Sequence, residues 1–401
     1  MKKLALCISL GLILTGCAPS FQKDEKIVQK VGKSKENSII PSYSISDEYY
    51  KSIIPFQEGA ARGLVVQGLN SRLDIDEFET GLMRIAQESF STKEYLFQEG
   101  QFLSRETIQQ LVQRKRTDAQ QAEAEKRQNN LNKKVKVPNM GLNPPYDKNA
   151  PGSVEDKNAK SPIYLSNILE HNYMIKNGNG EVQVGGVVIG LAMNSVHYYN
   201  LPPEQGGYPR ETPIPEGEML EQGKRMAQAI LDILVKQEKW RDVPVTFAIY
   251  RQEAKSSLVP GHFVTYTKLD KGETKIGDWD SIDERYYLFP SEAGKADYRE
   301  DNTKIENFKS DIAEYFPNNF TAVVGRGFYK DKQIQELKLD IPVQFNGKAE
   351  IIGFTQFVTG LIMEHFPNYV KVEVNIHSVG RQEAVILRDS EQEQPIVHIF
   401  D

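Results

Sequence analysis

The sequence predicts an α+β protein. It reads as two tandem, diverged units, each a mostly antiparallel sheet covered by one long helix, preceded by an N-terminal helical segment. Three observations predict this. Met219, Gly223, Met226, Ile230 and Ile233 mark one face of a helix, and "VPVTFAIY" then alternates strictly through Val243, Val245, Phe247 and Ile249. The same order returns downstream, where Ile351, Phe354, Val358 and Leu361 form a helical stripe and Val370, Val372, Val374 and Ile376 alternate after it. Each strand is followed by Arg-Gln-Glu-Ala, at Arg251–Ala254 and Arg381–Ala384, and then by another strand-like run, "HFVTYT" or "AVILRD".

From the N-terminus, Lys2 and Lys3 precede an apolar run from Leu4 to Leu14 that only Ser9 interrupts. The run is shorter than the roughly 20 residues a bilayer-spanning helix needs, so it reads as a signal-peptide core. Leu14-Thr15-Gly16-Cys17 follows at once and resembles a bacterial lipobox. That resemblance implies cleavage between Gly16 and Cys17 and a diacylglyceryl thioether on Cys17, chemistry that needs a soft sulfur nucleophile. Two or three acyl chains meet the two-signal requirement for stable anchoring. The expected partner of Cys17 is therefore the membrane, and the expected location is its outer face. Cys7, the second of two cysteines, leaves with the leader. The mature chain is then left without disulfides, cysteine-bound zinc or a cysteine nucleophile.

Residues 17–45 are polar and lysine-rich and read as a flexible tether. Over 46–132 the pattern turns helical: Phe78, Leu82 and Ile85 stand behind the candidate caps Asp74 and Asp76, and Ser104 opens a second helix through Ile108, Leu111 and Val112. That helix fades into "QRKRTDAQQAEAEKRQNN", whose charge mix suits a solvated surface. Residues 133–162 are dense in proline, glycine and asparagine and read as a linker. The first unit is expected over 163–270, where "NGNG" (177–180) joins two strands by a tight turn. A connecting segment, 271–301, leads to the second unit, 302–401. An amphipathic helix through Ile305, Phe308, Ile312 and Tyr315 opens that unit. Leu337, Leu339, Ile341, Val343 and Phe345 then alternate, predicting a sheet with one buried and one wet face.

Chemistry-bearing motifs are sparse. The six histidines fall in no H-E-x-x-H or H-x-x-E-H arrangement, and neither metal nor other cofactor is expected. "DWDSIDE" (278–284) fails as a calcium loop, because Ile282 stands at the fifth position and Phe289 at the twelfth, and it reads as an acidic loop. "GRGF" (325–328) has no lysine and hydroxyl behind it to hold a nucleotide phosphate. A formal charge of −6, more negative once Lys2 and Lys3 are removed, argues against nucleic acid as a partner. The softer lead is the repeated tetrapeptide. Arg251 with Glu253 and Arg381 with Glu383 could present like charges at matching corners of two sheets and line a groove between them. The structural reading, a solvated pair worth under ~1 kcal/mol, stands beside it.

The lipobox, the "RQEA" strands, "VGGVVIGLAMNSVHYY" (184–199) and "FTQFVTGLIMEHFPNYVKVEVNIHS" (354–378) together resemble the CamS sex-pheromone lipoproteins of Gram-positive bacteria, over nearly the whole chain. In that family the last seven or eight residues of the leader can be exported as a peptide mating signal. The resemblance implies the same of Leu10, Gly11, Leu12, Ile13, Leu14, Thr15 and Gly16, a stretch without aromatic residue or alanine. It implies no activity for the folded body. The leading expectation is a body that binds a surface ligand or protein partner and is not an enzyme. The alternatives are a cell-envelope hydrolase with carboxylates from separate segments, and a structural partner docking through 46–132.

Overall fold

The computed structural model describes residues 25–31, 34–130, 137–237, 240, 242–315, 322–344 and 347–401. Cys17, Gly16 and the Leu10–Gly16 segment lie outside the described residues. The chain first lays down β1 (Glu25–Val31) and β2 (Ser34–Ile40), an antiparallel pair that joins the first sheet through β1 and a later strand, with Val28 opposite Glu181. Strand structure therefore begins inside the stretch expected as a tether.

Next come β3 (Lys51–Ser52), α1 (Val65–Gly68), α2 (Arg72–Ala86), β4 (Leu96–Glu99), α3 (Arg105–Leu111), α4 (Asp118–Asn130) and α5 (Val154–Lys160). Ser71, not Asp74 or Asp76, caps α2, its side chain accepting from the Asp74 N–H at 3.1 Å. Ser104 caps α3 as expected, but the helix stops at Leu111, and α4 starts anew with no buried residue. The linker-like stretch is stapled down at Asn143, which is fully buried. Its amide donates to the carbonyls of Val112 and Leu165, and its carbonyl accepts from the N–H groups of Tyr164 and Leu165.

The body of the first sheet is β5 (Leu165–Lys176), β6 (Glu181–Asn194), β9 (Val245–Gln252) and β10 (His262–Leu269), extended by β4 and β3 on one side and β11 (Asp280–Ser281) on the other. Between β6 and β9 come the small β7 (Val196–Asn200) and β8 (Pro209–Pro213) pair and α6 (Glu216–Leu234). The hairpin β5–β6 turns through Asn177–Gly180, and β9 returns parallel to β6 after the α6 crossover. Both faces of this sheet are covered. Val187, Ile189, Leu191, Phe247 and Ile249 pack with Met219, Met226 and Ile230 of α6, while Val188, Ala192, Ala248 and Tyr250 pack with Phe78, Leu82 and Ile85 of α2. The N-terminal helical region is thus the second layer of the first unit, and β3 and β4 within it are strands of the same sheet. Glycines in β6 make room for that layer: a Cβ on Gly186 would lie 2.1 Å from the Phe90 ring, and one on Gly190 2.8 Å from Phe78.

The second sheet begins earlier than expected, with β12 (Glu284–Phe289), followed by α7 (Glu292–Asp297) and α8 (Arg299–Tyr315). β13 (Val324–Lys330), β14 (Gln333–Pro342), α9 (Lys348–His365), β15 (Lys371–Ser378), β16 (Arg381–Arg388) and β17 (Ile396–Ile399) complete it. Its central connectivity matches that of the first: hairpin β13–β14, crossover α9, then β15 parallel to β14 and antiparallel to β16. Leu337, Leu339, Ile341 and Val343 are buried with Val372, Val374, Ile376, Phe308 and Phe354 beneath α8 and α9. Phe345 lies outside the described residues. Helix α2 meets one part of the opposite face, at Glu284, Tyr286 and Phe328, and the same face carries Arg326, Lys338 and Glu373. Among the described residues no helix is long and apolar enough to cross a membrane.

Candidate functional site

Helix α2 meets the second sheet through a buried ion cluster. Glu77 and Arg84 stand two turns apart on one face of the helix. The Arg84 guanidinium donates to Glu77 Oε1 at 2.6 Å and to both carboxylate oxygens of Glu284 on β12, at 2.7 and 3.1 Å. It also lies over the Phe328 ring, 4.6 Å from the centroid. The Tyr286 hydroxyl donates to the other oxygen of Glu77. The Glu77 and Glu284 side chains are only 7% and 2% exposed. Burial raises the Glu77 pKa, and Arg84 and Tyr286 only partly offset that. Burial also works against the charge of Arg84, yet the two carboxylates outweigh it and hold its pKa well above the usual value. The start of α2 is tied down separately: buried Asp74 accepts from the Tyr250 hydroxyl at 3.0 Å and the Gly261 N–H at 2.9 Å.

Beside this cluster a groove of about 510 Å³ runs between α2 and the open face of the second sheet. Arg326 and Phe328 of β13, Glu336 and Lys338 of β14 and Lys371 of β15 form its floor, and Asp76, Glu77, Thr80 and Met83 its wall. Tyr49 and Tyr369, each about half exposed, also line it. Lys371 pairs with Glu48 at 3.0 Å, and Lys338 lies 3.4 Å from Glu336 and 3.7 Å from Glu373. The half-buried Arg326 side chain makes no hydrogen bond or ion pair among the described residues. A largely basic floor therefore faces an acidic wall, with aromatic rings between. The "GRGF" stretch is ordinary strand here, and the arginine inside it is what reaches the groove.

Pro260 and Tyr286 also line a second cavity of about 520 Å³. Here the repeated tetrapeptide enters. Arg251 Nη1 pairs with Glu253 at 2.5 Å, and both line this cavity with His262 and Arg285. Burial, then Arg251 and Arg285, push the His262 pKa down to about 3, so the ring is neutral at ordinary pH. Arg381 and Glu383 pair with each other at 3.5 Å, Ser378 donates to Glu383 at 2.7 Å, and they line neither cavity. The two tetrapeptides occupy different places: the first closes β9, the third strand of its motif, and the second opens β16, the fourth. They do not form matching corners.

Apart from Arg326 and Phe328 within "GRGF", the groove's residues fell in no motif. Glu284 is the last residue of "DWDSIDE", whose acidity hid a buried ion-pair partner. The spacing of Glu77 and Arg84 is the one local signal that could have paired them. Among the described residues, no three histidine, cysteine, aspartate or glutamate side chains converge on a metal site. Chemically, the groove offers both charge signs, aromatic faces and one unpaired guanidinium. The buried carboxylates beside it are committed to Arg84.

A family model described as the CamS sex pheromone cAM373 precursor matches residues 56–394. Among solved structures, a sex pheromone precursor from Lactobacillus salivarius subsp. salivarius UCC118 is similar with a TM-score of 0.76 at 30% identity, over 90% of this chain and 98% of that one. The C-terminal domain of the sex pheromone staph-cAM373 precursor from Staphylococcus aureus is similar with a TM-score of 0.68 at 32% identity, over 83% of this chain and 99% of that one. No curated protein matches the chain.

Proposed function

The chain belongs to the CamS sex pheromone precursor family, and from that premise we propose a lipid-anchored protein of the outer membrane face whose folded body binds a ligand in the groove between the sheets. Leu14-Thr15-Gly16-Cys17 behind a short apolar run supports the anchor on Cys17 and cleavage after Gly16. Family membership supports Leu10–Gly16 as the source of an exported peptide signal.

The observation that carries the binding reading is the open face of the second sheet. Where Tyr286 and Phe328 touch α2 they close one end of a space with room for an extended chain, which the unpaired Arg326 side chain lines, and acidic and basic groups lie on opposite sides of it. The ligand that fits is an extended peptide segment bearing both charge signs. Its cationic side chains lie towards Asp76, and its carboxylates towards Arg326. The body binds and does not transform its ligand.

Two measurements test this. Mass spectrometry of the tryptic peptide Cys17–Lys23 from membrane extracts is expected to show the acyl mass, and an unmodified Cys17 removes the anchor. Fluorescence anisotropy of a dye-labelled mixed-charge octapeptide pool against the full chain is expected to saturate. Arg326→Ala and Tyr369→Ala should each weaken binding by about tenfold, the loss of one charge-assisted or stacking contact. Unchanged binding by both variants removes the groove as the site.

A further inference from the structure

A smaller cavity, separate from the groove and about 150 Å³ in volume, lies between α2, the 59–65 segment and the edge formed by β4 and β5. Met83, Phe97 and Leu169 give it apolar walls, and Arg62, Glu79, Glu99, Glu170 and His171 give it polar groups. That volume is about what a single benzene-sized ring fills. The polar groups are unevenly satisfied. Glu99 accepts from the Gly59 N–H at 2.5 Å and lies 3.8 Å from Arg62. Glu79 makes no hydrogen bond or ion pair among the described residues, and burial raises its pKa, with Asp76 and Glu99 adding to the rise and Arg72 opposing it. His171 is 3% exposed, and its Nδ1 is buried without a hydrogen-bond partner among the described residues. Burial pushes the ring's pKa down to about 3, so the imidazole is neutral.

A buried polar atom left unpaired is costly, and native structures keep few of them. Glu170, which also lines the cavity, does not fill the gap: its oxygens accept from the N–H groups of Gln101, Phe102 and Leu103 at 2.7–3.1 Å. The cavity therefore presents the Glu79, Glu99 and Glu170 carboxyls and a neutral imidazole against apolar walls, with one guanidinium, Arg62, already shared between Glu58 at 3.1 Å and Glu99 at 3.8 Å. With Arg62 already taken up by Glu58 and Glu99, the carboxyls outnumber the free positive charge, so an anion is disfavoured there and a neutral ring leaves Glu79 unanswered. A primary ammonium carries three N–H donors and the opposite charge.

We propose that this cavity is a binding site for a small organic cation, a primary ammonium on a short apolar or aromatic body. The ammonium lies towards Glu79 and Glu99, and the body packs on Met83, Phe97 and Leu169 beside the His171 ring. Met83 also lines the groove, so the same helix walls both sites.

The test uses benzylammonium, benzyl alcohol and benzoate, which share one shape and differ in charge, titrated calorimetrically into the full chain. Benzylammonium is expected to bind saturably, benzyl alcohol about tenfold or more weakly, and benzoate not at all. Glu79→Gln, on a half-buried helix position, should cost about tenfold in benzylammonium affinity while leaving thermal unfolding near wild type. In a chain labelled with ¹⁵N-histidine, the His171 ring resonances should move with the same saturation. Equal binding of alcohol and ammonium, an unaffected Glu79→Gln variant, or no saturable binding would each overturn the site and leave an apolar, water-filled void.

Discussion

Arg84→Met offers a sharp test of how the two sheets are joined. The substitution keeps most of the side-chain volume and leaves Glu77 and Glu284 facing each other without a cation, at 7% and 2% exposure. Removing one partner of a buried ion pair costs about 3–5 kcal/mol, and the 28% exposure of Arg84 places this case near the lower end, at about 3 kcal/mol. The cost depends on the carboxylates being charged. Arg84 is what holds the raised Glu77 pKa in check, so without it the Glu77 carboxyl shifts further up, the folded variant holds a proton that the unfolded chain releases, and the deficit is smaller at pH 5 than at pH 8. Glu284→Gln in the same background should recover part of the loss by removing one stranded charge. The assay is urea denaturation of the full chain, with probes in each sheet because such a chain need not unfold in one step. A deficit below about 0.5 kcal/mol at pH 8, or one that does not shrink on acidification, would refute the reasoning.

Three further outcomes follow from named contacts. His262 is neutral when folded, with its pKa lowered from 6.5 to about 3, so it contributes stability that is present above pH 6.5 and lost as pH falls towards 3. His262→Gln should flatten the pH dependence of the unfolding free energy by about 1.4 kcal/mol per pH unit across that window, and an unchanged slope would contradict the burial. Gly186→Ala puts a methyl 2.1 Å from Phe90, whose ring is stacked on Tyr173, and should cost about 1–3 kcal/mol by thermal unfolding, while Gly178→Ala, with nothing within 4 Å, should be near neutral. Arg388→Met strands the carbonyls of Phe366, Pro367 and Val370 and should cost about 2–4 kcal/mol in the same assay, with Arg388→Lys failing to restore it.

Hydrophobic periodicity made the local elements legible. The stripes of α6 and α9 and the alternation of Leu337, Leu339 and Ile341 come from neighbours in sequence, and these residues are buried where their period put them, except Ile233, which is partly buried while Leu234 fills the core. The layering was not legible, because it depends on distant partners. Asp74 and Tyr250 are 176 residues apart, and Arg84 and Glu284 are 200 apart. Nothing local marks α2 as the cover of β9, or Glu284 as its counter-ion. The strict alternation read through Val245, Phe247 and Ile249 marked one buried face of β9, whereas Ala248 and Tyr250 between them are apolar and buried too, a sign of a strand covered on both faces that the alternation passed over. The tetrapeptide repeat misled for the opposite reason: identical letters hid a difference of one strand in where they fall. Of the candidate site, Arg251 and Glu253 were found by motif, whereas Arg326 was passed over inside a glycine-flanked stretch.

The two-layered packing of the first sheet governs how this molecule can be cut apart. A fragment starting near residue 160 keeps every strand of both central motifs yet discards Phe78, Leu82 and Ile85, and so bares Val188, Ala248, Tyr250 and Phe263 to solvent. Each such ring carries roughly 150–250 Å² of surface, and a piece so exposed would clump with its copies. Any working dissection must start upstream of Ser71, and the smallest autonomous body is most of the chain.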